Sequence, residues 1–363
     1  MKSTSKLHQL GQSLWLDNIT REMLDVGTLQ NYRDNLNVTG LTSNPTIFDQ
    51  AIRHTQTYDE AIVQKLKKGQ SREALFFELA LEDLRRAAAL FAPIYEKTAG
   101  MDGWVSLEVS PLLAHDADGT VTEAKRLRDL AQCPNMFIKI PGTAAGVQAI
   151  EESIFAGVPV NVTLLFSHDQ YVAAANAYWR GIARRIKAGL DPQVHSVASL
   201  FISRWDKAVV GKVPAELANR LGIAVAQRVY KTYLERFSLP EWLKLHNGGA
   251  APQRLLWAST GVKDPALPES YYIEALAAPN TINTTPEKTL LAFDQHGEVQ
   301  GAMREDGGDA EAVLAEFAKA GVDTGELAAQ LQTEGAEAFS KSWNDLMAAI
   351  ADKGNASRKA VKS

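Results

Sequence analysis

Cysteine is nearly absent from this sequence of 363 residues, because Cys133 is the only one. A single thiol excludes a disulfide within the chain and a metal site built from several thiolates. The amino-terminal residues contain no apolar segment of the kind that a secretory signal requires, and no run of about 18 apolar residues predicts a membrane span. We therefore expect a cytoplasmic protein with no membrane partner.

Positive charge is not in excess either. The chain has 38 Lys and Arg residues against 43 Asp and Glu, a net charge of −5, so no surface for nucleic acid is predicted. The seven histidines show no H-x-H or H-E-x-x-H spacing, which argues against a metal site. Basic residues cluster only in 354–363, where we expect a disordered tail after a single domain of residues 1–353.

Eight apolar runs of strand length alternate with longer segments that have helical spacing. Strand followed by helix predicts a parallel sheet, and eight such units are the number that closes a (β/α)₈ barrel. A doubly wound open sheet is the alternative, but no G-x-G-x-x-G motif follows the first run. The predicted strands are residues 13–19, 38–44, 104–110, 136–141, 158–166, 194–201, 254–260 and 280–285.

The connecting segments carry helix signals. Residues 46–100 have room for two or three helices, and residues 305–353 predict further helices that wrap the outside of the barrel. Ser167 with Gln170 matches a capping box, and helices are also expected to begin at Asp264-Pro265 and Thr285-Pro286.

Polar residues stand at the carboxyl end of every predicted strand, where barrels place their chemistry. Members two residues apart face the same way on a strand. Each residue alone has an ordinary structural explanation, such as a turn, a helix cap or a hydroxyl bonded to the backbone. The set is Asp17, Thr42, Asn44, Ser106, Glu108, Lys139, Asn161, Thr163, Ser199, Ser259, Asn283 and Thr284.

Lys139 is the most informative member, since it lies between Ile138 and Ile140 in a run that should be buried. An amine buried among apolar groups is favoured in its neutral form, which is the nucleophile that forms a Schiff base with a carbonyl. Cleavage of a carbon–carbon bond through that imine needs nearby acid and base groups, and Asp17 and Glu108 are carboxylates. The residues therefore predict class I aldolase chemistry.

Seven segments together resemble the transaldolase family, in particular its bacterial subfamily with T-S-N-P at the second strand. The resemblance covers about residues 14–291 and implies a (β/α)₈ barrel with a circularly shifted strand order. It also implies transfer of a dihydroxyacetone unit in the pentose phosphate pathway without a cofactor. The segments are WLDNI, GLTSNPTIF, VSLEVSP, FIKIPGTAAG, VNVTLLFS, ASLFISRWD and WASTGVKDP.

The resemblance implies a role for each residue that matches the family motifs. Lys139 would form the Schiff base with the C2 carbonyl of a ketose phosphate, and Asp17 would exchange the proton of the C4 hydroxyl. Glu108 and Thr163 would hold the catalytic water. The substrate would be bound by Thr42, Asn44, Ser106, Asn161 and Ser199.

Phosphate binding departs from the family pattern. Arg204 matches the first phosphate-binding arginine, although a pair with Asp206 is its alternative. A second arginine is expected two residues after Ser259, yet Gly261 stands there, and we expect Lys263 to substitute. A helix starting at Asp264-Pro265 could add backbone N–H groups.

Two other functions remain open at this point. A plain aldolase of the same fold would release free dihydroxyacetone, although the long segment 46–100 and the carboxyl-terminal helices favour the larger transferase. A sugar-phosphate-binding barrel without activity would not need a buried lysine beside two carboxylates. We expect sugar-phosphate substrates and a monomer or homodimer.

Overall fold

The computed structural model describes residues 2–360, which contain eight parallel strands with helices between them. All eight predicted strands are confirmed, with ends that differ by up to three residues; the seventh begins one residue earlier than predicted, at Gln253. Every strand residue is buried, because the helices cover the outer face of the sheet. The strands are β1 (Ser13–Leu16), β2 (Val38–Leu41), β3 (Val105–Glu108), β4 (Met136–Pro141), β5 (Val160–Leu165), β6 (Ser196–Phe201), β7 (Gln253–Ala258) and β8 (Ile282–Thr285).

The strands form a (β/α)₈ barrel, as predicted. Their order is β2-β1-β8-β7-β6-β5-β4-β3, so neighbours in the chain are neighbours in the sheet and β1 pairs with β8. The N–H of Leu41 donates to the carbonyl of Trp104 at 3.0 Å and links β2 to the entrance of β3. The circular shift of strand order is a relation to other barrels and stays a prediction.

Helices surround the barrel on the outside. Three of them, Pro45–His54, Asp59–Lys67 and Arg72–Lys97, occupy the segment 46–100, as expected. The helices are α1 (Ser3–Gln9), α2 (Arg21–Asp25), α3 (Thr28–Leu36), α4 (Pro45–His54), α5 (Asp59–Lys67), α6 (Arg72–Lys97), α7 (Ala117–Ala131), α8 (Ala144–Phe155), α9 (His168–Lys187), α10 (Ser203–Val209), α11 (Leu221–Arg236), α12 (Pro240–Asn247), α13 (Tyr271–Ala275), α14 (Glu287–His296), α15 (Ala310–Lys319) and α16 (Thr324–Ala360).

The predicted helix starts have different outcomes. The capping box of Ser167 and Gln170 is present at the start of α9. The helix after Thr285 exists, but it begins at Glu287 with Pro286 as its N-cap residue. No helix begins at Asp264-Pro265, so that prediction is wrong. Asp264 Oδ1 instead accepts the N–H of Ala266 at 2.9 Å, which makes a turn.

Large aromatic side chains fill the barrel below its carboxyl end. Trp104 stacks on Phe137 with 3.9 Å between ring centroids, and Trp15 lies 6.4 Å from Phe137. Gly40 makes room for them, because a Cβ there would lie 2.8 Å from the Trp15 ring and 2.6 Å from the Trp104 carbonyl oxygen. Side chains two residues further along a strand form the next layer up, so this aromatic layer is the floor of whatever lies above it.

Helix α16 differs from the expectation that it would only wrap the outside. Gln332 Nε2 donates to the carbonyls of Gly142 and Leu164, at 2.9 and 3.0 Å, beyond β4 and near the end of β5. Trp343 contacts Phe76 and Phe77 of α6, with centroids 5.2 and 5.6 Å apart. The first half of α16 therefore lies across the carboxyl end of the barrel.

The end of α16 bears on the predicted tail. The helix continues through residues 354–360, where the sequence predicted disorder, and residues 361–363 lie outside the described residues.

Within residues 2–360, no helix is both long and apolar enough to cross a bilayer.

Candidate active site

Lys139 lies at the centre of a polar layer directly above the aromatic floor. It follows Phe137 by two residues on β4, and in the sheet register it is flanked by Glu108 of β3 and Asn161 of β5. Its side chain is buried, with the residue only 5% exposed. The Nζ atom donates to the carbonyl of Ser43 at 3.0 Å and lies 3.5 Å from Glu108 Oε2. The amine thus has two polar neighbours in an otherwise enclosed position.

Two carboxyl groups share this layer with the lysine. Burial raises the pKa of Glu108 above its usual range, while Lys139 opposes the shift and Asp17 adds to it. Burial also raises the pKa of Asp17, opposed first by Lys139 and then by the hydrogen bond from Thr42. Desolvation disfavours the charged form of each acid, so both are poised to take up and return protons.

Asp17 is held from one side by a hydroxyl. It follows Trp15 by two positions, immediately after β1, and Thr42 Oγ1 donates to its Oδ1 at 2.7 Å. Asn44, two residues after Thr42, caps helix α4 by accepting the N–H of Ile47 at 3.0 Å. The cap occupies only the amide oxygen, so the Asn44 Nδ2 group remains available as a donor beside the cavity.

A chain of neutral polar groups runs along the other side of Lys139. Ser199 Oγ donates to Asn161 Oδ1 at 2.7 Å, and Asn161 Nδ2 donates to Ser106 Oγ at 3.1 Å. Thr163 Oγ1 is buried and has no hydrogen-bond partner among the described residues. A buried hydroxyl without a partner is a position where a water or substrate hydroxyl would bind.

The far end of the cavity carries positive charge. Arg204 lies in the first turn of α10, with its guanidinium carbon 5.3 Å from the centroid of Phe201 and 6.0 Å from that of Phe339. Burial lowers its pKa, with Glu334 opposing the shift. Lys263 lines the same cavity. Two cations near one cavity wall suit an anionic group on a ligand.

Arg204 does not pair with Asp206, the alternative considered from the sequence. Asp206 accepts the hydroxyl of Tyr272 at 2.7 Å and the backbone N–H groups of Leu221 and Gly222 at 2.8 and 3.2 Å. Among residues 2–355, whose side chains the structure describes, no carboxylate forms an ion pair with the Arg204 guanidinium. The guanidinium is therefore free to bind an anion from outside the chain.

These groups surround one cavity of about 140 Å³ at the carboxyl ends of the strands. Fourteen residues were predicted for the site, the twelve at the strand ends together with Arg204 and Lys263, and ten of them line this cavity. Glu108 and Asn161 lie behind the wall and contact the lining residues Lys139 and Ser199, and Ser106 lies behind Asn161. The ten are Asp17, Thr42, Asn44, Lys139, Thr163, Ser199, Arg204, Ser259, Lys263 and Thr284.

Sequence reasoning missed several residues of the wall. Phe201 follows Ser199 by two positions, so the strand alternation that found Ser199 could have found it. Of the two residues predicted on β8, Thr284 lines the cavity and Asn283 does not. Phe339 comes from α16, and nothing in its own helical pattern indicated which surface it covers. The wall residues that were not predicted are Phe201, Ala258, Gly261, Pro286 and Phe339.

The fold and the cavity define the class of the molecule: a (β/α)₈ barrel enzyme scaffold with a buried lysine between two carboxyl groups at the carboxyl ends of its strands. The sequence model described as Transaldolase/Fructose-6-phosphate aldolase matches residues 14–350. The chain belongs to this family, which confirms the resemblance seen in its motifs.

Curated relatives match nearly the whole chain. A protein named "Transaldolase" from Thiobacillus denitrificans is 42% identical over 358 residues, covering 96% of this chain and 100% of that protein. One of the same name from Neisseria meningitidis is 40% identical, again covering 96% of this chain and 100% of its own length. "Transaldolase 2" from Streptomyces coelicolor is 40% identical, with 94% of each chain covered.

Proposed function

We propose that this chain is a transaldolase that transfers a dihydroxyacetone unit from a ketose phosphate to an aldose phosphate through a Schiff base on Lys139. The observation that carries the proposal is the position of the Lys139 amine, which is buried at the end of β4 and still lines the cavity. Sedoheptulose 7-phosphate and fructose 6-phosphate are the donors, which places the reaction in the pentose phosphate pathway. Family membership and the names of the relatives support this function.

Formation of the imine begins when the neutral Lys139 amine attacks the C2 carbonyl carbon of the donor. The carbinolamine then loses its hydroxyl as water, a step that needs a proton donor. Glu108 is 3.5 Å from the lysine and its pKa is raised by burial, so its protonated form is available for this step. The unpartnered Thr163 hydroxyl would hold the water.

Cleavage follows because the iminium accepts the electron pair of the C3–C4 bond. Asp17 takes the proton of the C4 hydroxyl as the C4 carbon becomes an aldehyde, and the aldose phosphate leaves. The three-carbon enamine stays on Lys139 until the aldehyde of erythrose 4-phosphate or glyceraldehyde 3-phosphate accepts it. Asp17 then returns its proton to the new hydroxyl, and water hydrolyses the imine and frees the lysine.

The remaining site residues bind the sugar in this proposal. Asn44 would donate an amide N–H to a hydroxyl of the dihydroxyacetone unit, and Asn161 would do so with the N–H that does not bond to Ser106. Thr42 and Ser199 line the wall beside them, and Ser106 supports Asn161 from behind. Arg204, Ser259 and Lys263 would bind the phosphate, with Lys263 acting as a point charge in place of a second arginine. The scheme uses only side chains and water, so we expect no cofactor.

The cellular location, the partners and the oligomeric state of the enzyme are also proposals. The net charge of −5 gives no reason for a nucleic acid partner. We expect a cytoplasmic enzyme that acts on soluble sugar phosphates, either as a monomer or as a homodimer.

Borohydride reduction in the presence of fructose 6-phosphate tests the proposal directly. The reduced adduct should map to the peptide that contains Lys139, and Lys139→Met should form no adduct while remaining folded by circular dichroism. Label on another lysine, or no label, would overturn the assignment. Measuring free dihydroxyacetone with and without erythrose 4-phosphate separates transfer from release by a plain aldolase.

A further inference from the structure

The hydroxyl of Thr284 lies behind the hydroxyl of Thr42, which donates to Asp17. Thr42 Oγ1 is 2.7 Å from Asp17 Oδ1, and Thr284 Oγ1 is 2.6 Å from Thr42 Oγ1. Strand β1, which leads to Asp17, lies between β2 and β8 in the sheet, so the two threonines come from its two neighbours. Both threonines are buried, with exposures of 2% and 3%. The three side chains thus form a hydrogen-bonded chain shielded from bulk water.

The chemistry of hydroxyl groups fixes the direction of this chain when Asp17 is ionised. A carboxylate only accepts hydrogen bonds, so Thr42 must donate its single proton to Asp17. The oxygen of Thr42 can then accept, and the hydroxyl of Thr284 is the group within reach to donate to it. Each hydrogen bond in such a chain polarises the next, so the donation from Thr284 strengthens the bond from Thr42 to Asp17.

We infer that Thr284 is a positioning residue for Asp17, acting through Thr42 to keep one carboxylate oxygen occupied and the other free for the proton of the sugar. This inference rests on the proposed function, in which Asp17 exchanges that proton. Oδ1 is the oxygen held by Thr42, and Oδ2 accepts no hydrogen bond from the residues that the structure describes. Thr284 thereby strengthens the bond from Thr42 that leaves Oδ2 of Asp17 as the base.

Backbone contacts hold Thr284 where this role requires it. Its Cα is in register with Trp15 of β1, and its carbonyl accepts the hydroxyl of Thr260 at 2.9 Å. The next residue, Thr285, is also buried but faces away from the cavity, and its Oγ1 has no partner among the described residues. Thr284 therefore belongs to the hydrogen-bonded chain that ends at Asp17, whereas the hydroxyl of Thr285 does not. Substitution of Thr285 is thus a matched control for substitution of Thr284.

Other charged groups also act on Asp17 and must stay constant in a test. Lys139 of β4 and Lys263 after β7 favour its ionised form, while Glu108 of β3 interacts with it unfavourably when both are charged. Substitution of Thr284 leaves all three in place. A change in the pH dependence of cleavage therefore reports the loss of the hydroxyl chain.

The test compares Thr284→Val with Thr284→Ser and with the matched control Thr285→Val. Thr284→Val should lower kcat for donor cleavage about three- to tenfold, because the hydrogen bond to Thr42 that strengthens the Thr42–Asp17 bond is lost. In the pH profile of kcat for Thr284→Val, the acid limb should move to higher pH by a few tenths of a unit. The reason is that a less stabilised Asp17 carboxylate has a higher pKa. Thr284→Ser and Thr285→Val should keep the pH profile of the unaltered enzyme.

Borohydride trapping provides the readout that a general structural defect would change. The rate of adduct formation with fructose 6-phosphate should be the same in Thr284→Val and the unaltered enzyme, because imine formation precedes the step that uses Asp17. An unchanged pH profile in folded Thr284→Val would overturn the inference, as would trapping that falls in parallel with cleavage.

Two further outcomes are also decisive. If Thr284→Val does not fold, Thr284→Ala and Thr284→Ser replace it, since they differ from each other only by the hydroxyl oxygen. Equal pH profiles for that pair would overturn the role of the hydroxyl. Absence of both adduct and cleavage in the unaltered enzyme would overturn the proposed function itself, which distinguishes the two failures.

Discussion

Replacing Arg204 with alanine tests whether the charged end of the cavity binds phosphate. The guanidinium lies near the faces of Phe201 and Phe339 and has no carboxylate partner among the described residues. Burial without such a partner lowers its pKa, which means that the folded protein does not stabilise this charge. A buried guanidinium of this kind, in the wall of a cavity, suits the binding of an anionic group.

The expected loss follows from the strength of a hydrogen bond to a charged group. Such a bond contributes about 1.5–3 kcal/mol, so losing one should lower kcat/KM for fructose 6-phosphate about 10- to 150-fold. The kcat/KM of Arg204→Lys should lie between those of Arg204→Ala and the unaltered enzyme. An ammonium group keeps the positive charge but lacks the paired N–H donors of the guanidinium. The melting temperature should change little, since only contacts with two rings, each worth about 0.5–1 kcal/mol, are lost.

The assay measures kcat/KM for fructose 6-phosphate and for unphosphorylated fructose with the same acceptor. Arg236→Ala is the matched control, because that arginine also lies over an aromatic ring, 3.8 Å from the centroid of Trp179, and donates to Asn176 away from the cavity. It should lower stability and leave donor preference unchanged. Equal losses for both donors in Arg204→Ala would refute the phosphate assignment.

Two more predictions concern stability. Because burial raises the pKa of Asp17, the ionised carboxyl costs stability above its folded pKa, and that cost disappears below the unfolded value. Asp17→Asn should therefore raise the melting temperature by about 1–2 °C near neutral pH, with no gain at about pH 3 by scanning fluorimetry; a gain that persists in acid would contradict this. Trp343→Ala should cost about 3–5 kcal/mol in urea unfolding and raise KM for phosphorylated donors, because α16 is held through Phe76 and Phe77. An unchanged KM would show that the cavity does not depend on this packing.

The strand layers could be predicted from the sequence because their side chains repeat every two residues. Trp15 and Asp17 stand two apart near β1, and Phe137 and Lys139 stand two apart on β4, so each of these floor residues is followed by a charged residue that lines the cavity. Parallel strands bring their carboxyl ends together, which gathers polar groups that are far apart in the chain. Both the barrel and most of the cavity wall followed from these two rules.

Helix α16 shows where that reasoning fails. Its apolar residues repeat at helical spacing, and this pattern predicts that one face is buried without indicating what covers it. Gly335 and Phe339 lie four apart on α16, and a Cβ on Gly335 would lie 2.8 Å from Leu164 and 3.2 Å from Arg204. Such close contact between distant parts of the chain is decided by tertiary packing alone.

The prediction of a helix start at Asp264-Pro265, after β7, was wrong for a different reason. Asp followed by Pro is typical both of helix starts and of turns, because the same carboxylate can accept an N–H group in either. Asp264 accepts from Ala266 on one oxygen and from Asn219 Nδ2, at 2.8 Å, on the other. The contact with Asn219 is distant in sequence, and it favours the turn. Lys263, one residue earlier, nevertheless reaches the cavity as expected.

The position of α16 gives the cavity walls of two kinds. The groups to which we assign the bond-making steps stand at strand ends, whereas Phe339 contributes a wall from a helix outside the strand–helix repeat. Substitutions at Gly335 or Phe339 can thus resize the compartment for longer or shorter ketoses while sparing the reacting centre. In natural or laboratory evolution, the size of the cavity can thus change through α16 without substitutions on the eight strands.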